Sequence, residues 1–178
     1  MRATTIVPPD FAQLVDESHQ IVRATVESVR SYPDTYEGRA LIRTEVILQI
    51  HESLRGDPVA SKMSLHYLGG EYDGRVMQVD AMPTFTVGKE MVLFVEGGPR
   101  KVCPLVGWSH GQFRVQRESA TGEARVVRAD GSPLTGPSGV SAPLRERGDA
   151  VVEPLSRTLT LDDFRQAVRD QARKGRVE

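Results

Sequence analysis

Cysteine is nearly absent from this chain of 178 residues: Cys103 stands alone. One thiol excludes an internal disulfide framework and any zinc or iron–sulfur centre built on several cysteines. Aromatic residues make up only 6% of the chain, with a single tryptophan. Neither sign of charge dominates, since 23 Lys and Arg face 24 Asp and Glu. A dedicated binder of nucleic acid or of an anionic membrane would carry a basic excess, so that class is set aside. No apolar run approaches the about 18 residues that a membrane-spanning helix needs. What is present is a hydrophobic fraction of 39%, enough for a globular core. The length suits one domain, 1–178, large enough to fold without crosslinks.

The pattern along the chain is mainly β. Pro8-Pro9-Asp10 is expected to open a short helix, with Phe11, Leu14 and Val15 on one stripe and an end near Ser18. Gln20 to Arg30 alternates as a strand, turned by Tyr32-Pro33-Asp34 and Glu37-Gly38. Arg39 to Ser53 alternates again, Ile42, Val46, Leu48 and Ile50 against Arg43, Glu45, Gln49 and His51. Lys62 to Leu68 follows, with Met63, Leu65 and Tyr67 inward. Gly69 to Gly88 is a long connection, and part of Arg75 to Ala81 is expected to form an edge strand. Glu90 to Val95 is almost continuously apolar, the mark of a strand buried on both faces. Lys101–Val106, Gln112–Arg117 and Ala124–Ala129 read as further short strands. Residues 131–156 are rich in Gly, Pro and Ser and then in charge, and are expected to form a surface arm. A helix over about 158–174 closes the chain, with Thr160 as N-cap and Leu161, Phe164, Val168 and Ala172 as its apolar stripe. Short strands with regular turns, flanked by helices, predict an OB-like barrel of five or more strands with its core over about 5–130, which would remove exposed sheet edges.

The stretch from Pro8 through Ser18 into Ile21-Val22-Arg23-Ala24-Thr25-Val26 resembles the start of netrin-like modules, the family of the tissue inhibitors of metalloproteinases. In that family a short helix runs into a strand of the form V-x-R-A-x-V. Thr44 to Gly56, ending Leu54-Arg55-Gly56-Asp57, resembles the second strand and the turn that ends it. The last helix, Leu159 to Arg173, fits the family layout of an OB barrel with flanking helices. The chain is also similar to a group of uncharacterised exported bacterial proteins, through Leu68-Gly69-Gly70 and the P-x-F-x-x-G-x-x-x-x-L-F pattern of Pro83 to Val95. The resemblance implies a non-enzymatic, protein-binding, protease-interacting or inhibitor-like module with a secreted metalloprotease as partner. It also implies export to the periplasm or beyond. Arg2-Ala3 followed by Thr4 and Thr5 matches the residue left by signal-peptide removal. The family's eukaryotic inhibitors chelate the target's zinc through an N-terminal cysteine, and no cysteine precedes Cys103 here.

The residues that could carry chemistry are few. His51 and His66 fall on polar faces, and a turn centred between Pro58 and Val59 would set them opposite each other. Two histidines alone do not complete a zinc site, so solvated histidines are the expected reading and no metal or cofactor is assigned. Gly107-Trp108-Ser109-His110-Gly111 spells G-x-S-x-G, but alternating residues follow it where a nucleophile elbow needs a helix. A serine hydrolase using Ser109 is therefore an alternative, and a structural cell-envelope protein is another. Cys103 between Val102 and Pro104 reads as a small buried apolar residue. The expected partner surface is the barrel rim: Thr4 and Thr5, Gly69, Gly70 and Tyr72, and Trp108 with His110. If processing exposes the amine of Thr4, that amine is expected to be able to chelate a protease metal. A chain trimmed to begin at Thr4 should then slow a secreted metalloprotease in a peptide-cleavage assay, and unchanged cleavage removes the idea.

Overall fold

The structure, a computed structural model, describes residues 7–57, 60–97, 101–145 and 155–175. Helix α1 spans Phe11–Glu17. Pro8 and Pro9 stand before it rather than in its first turn, because Asp10 is the N-cap. The Asp10 carboxylate accepts from Gln13 N–H at 2.8 Å, and the Gln13 side chain accepts from Asp10 N–H at 2.9 Å. The strands are β1 Gln20–Tyr36, β2 Arg39–Arg55, β3 Lys62–Leu68, β4 Gly70–Tyr72, β5 Arg75–Met77, β6 Glu90–Val95, β7 Gln112–Arg117 and β8 Ala124–Arg128. Helix α2 spans Leu161–Lys174, with Thr160 capping Asp163 N–H at 3.0 Å and Asp162 and Asp163 in its first turn.

Six strands form one antiparallel sheet in the order β3-β2-β1-β6-β7-β8, and β4 with β5 makes a separate ribbon. β1 outruns its expected end at Arg30. Pro33 lies within it, opposite Ile42, in a stretch where β6 no longer flanks β1. A proline is tolerated there because it leaves no ladder bond unmade on an edge. The turn is made instead at Glu37-Gly38, both at positive φ. Lys101–Val106 is not a strand: Pro104 has no N–H to offer, and Leu105 makes an isolated bridge to Val95.

A closed ladder does not form among the described residues, since β3 and β8 remain the two ends of the sheet. The ends are unlike. At β8 the outer edge is covered, with Val126 N–H donating to Leu159 carbonyl and Arg128 N–H to Ser132 carbonyl. Beyond β3, Leu68 N–H donates to Val102 carbonyl at 2.8 Å.

The alternation of β1 and β6 feeds two cores. Ile21, Val92 and Phe94 face the helices and pack with Leu14, Val15, Phe113, Phe164 and Val168. Val22, Ala24, Val26, Met91, Leu93 and Val95 face the other way and pack with Val46, Leu48, Leu65, Phe85, Cys103 and Leu105. β6 is thus buried on both faces, as its apolar run predicts. Residues 131–145, expected on the surface, instead send Leu134 and Val140 into the helix-side core; the rest of that expected arm, up to residue 154, lies outside the described residues. Charge ties α2 to the sheet: Arg23, Arg165 and Arg169 converge on Glu52 at 3.5, 2.5 and 2.6 Å.

Phe164 is the keystone of the helix-side core, with its ring 5.1 Å from Phe113, 6.2 Å from Phe94 and 6.0 Å from Phe11. Phe164→Ala should cost about 3–5 kcal/mol, because the lost burial is joined by a cavity that three rings cannot close. Urea denaturation of the two chains measures it.

Candidate functional site

A cleft of about 560 Å³ lies beside β3. Met63, Ser64, Leu65 and His66 form one wall, and Val95, Glu96, Lys101 and Pro104 the other, with Gln20, Tyr32, Asp34 and Arg43 completing it. Its cations are already matched. Arg43, only 8% exposed, binds Asp34 at 2.8 Å and donates to Lys101 carbonyl at 3.1 Å. Lys101 binds Glu96 at 2.5 Å. His66 Nδ1 meets Tyr32 hydroxyl at 3.1 Å, and His66 Nε2 meets Ser64 Oγ at 3.1 Å, with Glu45 at 3.9 Å.

His51 and His66 are not partners. The ladder sets Glu45 opposite His66 and Gln49 opposite Lys62, so the turn lies nearer β2 than the expected centre at Pro58 and Val59. The reason is that β2 continues past β3 to pair with β1 as far as Arg55. His51 bonds instead to Thr25 Oγ1 at 2.8 Å. Among the described residues no group of three or more His, Cys, Asp or Glu is placed to hold a metal ion.

The expected rim residues separate. Thr4 and Thr5 lie outside the described residues. Gly69 is buried, and Gly70, at φ +133°, lets the β4–β5 ribbon lie directly on Ser31 and Thr44; a Cβ there would overlap both hydroxyls. These two glycines seat the ribbon and offer no contact surface of their own. Tyr72 is on the ribbon, 43% exposed, beside a turn at Asp73-Gly74 with both residues at positive φ. Val76 on the returning strand is 70% exposed. β5 falls within the stretch Arg75 to Ala81 expected to hold a strand, whereas β4, three residues long, has no periodicity to mark it; the Asp-Gly pair between the two is the signal for their hairpin. Trp108 opens a short 3-10 turn, Trp108–Gly111, and packs against the core that holds Leu105 and Phe85. It also lines a small recess with Val7, Pro8, Pro9 and Gly107.

Ser109 Oγ donates to Ala81 carbonyl at 2.7 Å, and the segment after it is β7, not a helix. His110 Nδ1 is buried without a hydrogen-bond partner among the described residues. Burial, and then the Arg128 charge, hold the His110 imidazole below its ordinary range, with the Val140 backbone and Asp130 acting against them. Burial also pushes the Asp130 carboxyl up, but hydrogen bonds from Arg145 and Ser132 outweigh that and hold it low. Cys103 is buried, and burial pushes its thiol up to about 12, so it is not poised as a nucleophile.

No protein-family model matches the chain, and no curated protein matches it in sequence. No described helix is long and apolar enough to cross a membrane.

The lowered His110 imidazole has a consequence for acid stability. Folding favours its neutral form, so its contribution is full above the ordinary value of 6.5 and is lost as pH falls through the lower folded value. His110→Gln should flatten the fall in urea midpoint between pH about 7.5 and about 5, while a slope equal to the parent's would remove His110 from the titration.

Proposed function

We propose that the chain is a non-enzymatic protein-binding module of an exported bacterial protein, an OB-like, netrin-like domain with a protease-interacting, inhibitor-like role. The observation that carries this reading is the β4–β5 ribbon. It is seated on the main sheet by Gly70 and presents Tyr72 and Val76 to solvent from a tight two-residue turn. An aromatic and an aliphatic side chain, one on each face of a short, pinned ribbon, supply contact area at little entropic cost.

Other features agree with the reading. The hydrogen bond from Leu68 to Val102 and the Val95–Leu105 bridge bring the segment after β6 back toward β3, which is the direction an OB-like closure takes. The two helices stand over one face of the sheet, as flanking helices do in the netrin-like layout. The cysteine wedge of the eukaryotic inhibitors does not transfer, because no cysteine precedes Cys103. The ribbon surface is then the first candidate for contact with a protease, and the amine of Thr4 a second. Ser109 spends its proton on a backbone carbonyl, which lends no support to a serine hydrolase.

The test is retention of a protein from the native exported fraction on immobilised chain, compared with Tyr72→Ala and Val76→Ser. Each variant should reduce recovery by about tenfold with stability within about 0.5 kcal/mol of the parent. Equal recovery overturns the ribbon as the contact surface. Trp108 is unsuited to the same test, because its packing against the core would confound binding with folding. A secreted metalloprotease from that fraction, assayed with the parent chain added, separates the inhibitor-like role from binding alone.

A further inference from the structure

The backbone of β3 shows what the cleft is shaped to take. Gly69 N–H donates to Ile42 carbonyl, and Ser61 carbonyl accepts from Ile50 N–H, both at 2.8 Å. In an antiparallel pair the direction of the backbone groups alternates residue by residue. The odd-numbered residues of β3 therefore bond to β2, and Lys62, Ser64, His66 and Leu68 aim their N–H and C=O groups away from it. Leu68 agrees, since its N–H donates outward to Val102. Among the described residues, no protein group takes the backbone N–H or C=O of Ser64 or His66. Those groups open toward the cleft whose wall is Met63–His66.

We propose that this cleft receives an uncharged, extended peptide segment of a protein partner, which joins the sheet as a strand along β3. Strands pair about 4.8 Å apart and rise about 3.3 Å per residue, so Met63–His66 match three or four residues of such a segment. The cleft's volume is within the range of about 300–1,000 Å³ typical of ligand sites. Its chemistry selects the occupant. Met63, Leu65, Val95 and Pro104 are apolar, whereas Ser64, His66 and Tyr32 are polar, so an alternating apolar and polar sequence fits. Arg43 with Asp34, and Lys101 with Glu96, are pairs formed within the protein. A charged peptide would have to break one of them, and a neutral one does not. A second copy of the chain is disfavoured because its own β3 carries the opposite cleft wall with it, whereas a lone strand does not. This inference rests on the protein-binding reading above and names how the partner's chain is held.

The test uses the full chain, isotopically labelled, and one probe: an acetylated and amidated, uncharged peptide of alternating threonine and valine with a glutamine at each end. In the free protein the Ser64 and His66 amides should exchange at least tenfold faster than those of Leu65 and Tyr67. Adding the peptide should slow Ser64 and His66 by at least tenfold. Ser64→Pro removes an outward N–H and spares the β2 ladder, so it should weaken the peptide about tenfold or more with the fold retained. Should that variant fail to fold, the exchange measurement on the parent chain decides alone. The proposal is overturned by no binding at millimolar peptide, or by binding that leaves the two amides unprotected. It is also overturned by amides already protected in dilute free protein, which would place another segment of the same chain on the edge, or by protection that grows with protein concentration, which would place a second copy there. A partner still captured through Tyr72 while the peptide fails leaves the binding-module reading standing and removes only the β3 edge.

Discussion

Burial of β6 on both faces is the constraint on which the other elements depend. Val92 and Phe94 cannot face water on one side, nor Met91, Leu93 and Val95 on the other. One set calls for the helices, and the other calls for β2, β3 and the loops that carry Phe85 and Cys103. β1 shares the burden by dividing Ile21 from Val22, Ala24 and Val26. The helices are short, and α1 has only seven residues, too few to be stable alone. They exist because the sheet needs a cover, and Phe164 is the side chain through which that cover is keyed to Phe94 and Phe113.

Charge then fixes what packing leaves free. Three guanidinium groups on Glu52, together with Arg23 on Glu90 at 2.5 Å, set the angle of α2 against β1 and β2. At the other end of the sheet Arg128 is buried among the carbonyls of Ala142 and Pro143 and the Ser132 hydroxyl, which holds residues 132–143 against β8. Exposed ion pairs contribute little to stability, but pairs that are mostly shielded act as locators. The even balance of charge in the composition therefore has a structural meaning: most cations described here have an internal use.

The sequence made the long elements legible because their period is strong. β3 and β7 fall on the residues whose alternation marks them, β6 on those of its continuous apolar run, and Thr160 with the Leu161, Phe164 and Val168 stripe located α2. Local chemistry misled where tertiary context decides. Tyr32-Pro33-Asp34 carries turn residues, yet β2 and the free flank of β1 keep it extended. In the ribbon, β5 lies in the weakly alternating stretch after Gly74, while β4 is too short for periodicity to mark. Of the candidate contact residues, Tyr72 was visible as an exposed tyrosine near glycines. Trp108 was not visible as partly buried, because the cluster it packs against is assembled from residues distant in sequence, such as Val46, Leu65 and Phe85. The histidine pair failed for a reason of the same kind: the register of β3 is set by how far β2 runs along β1, and no local signal near Pro58 records that.

The two ends of the sheet differ in a way that bears on assembly. Edge-to-edge growth of β-proteins needs a donor edge and an acceptor edge on every unit, so that each addition creates the site for the next. Here Leu159 and Ser132 cover the β8 end, while at the β3 end, among the described residues, Ser64 and His66 have backbone groups to spare. A unit with one sealed end can be added to once, and the addition presents no new place for a further copy. The molecule is built as a terminator of strand stacking rather than a link in it, which lets it keep an open edge in a crowded compartment without becoming the seed of a fibre.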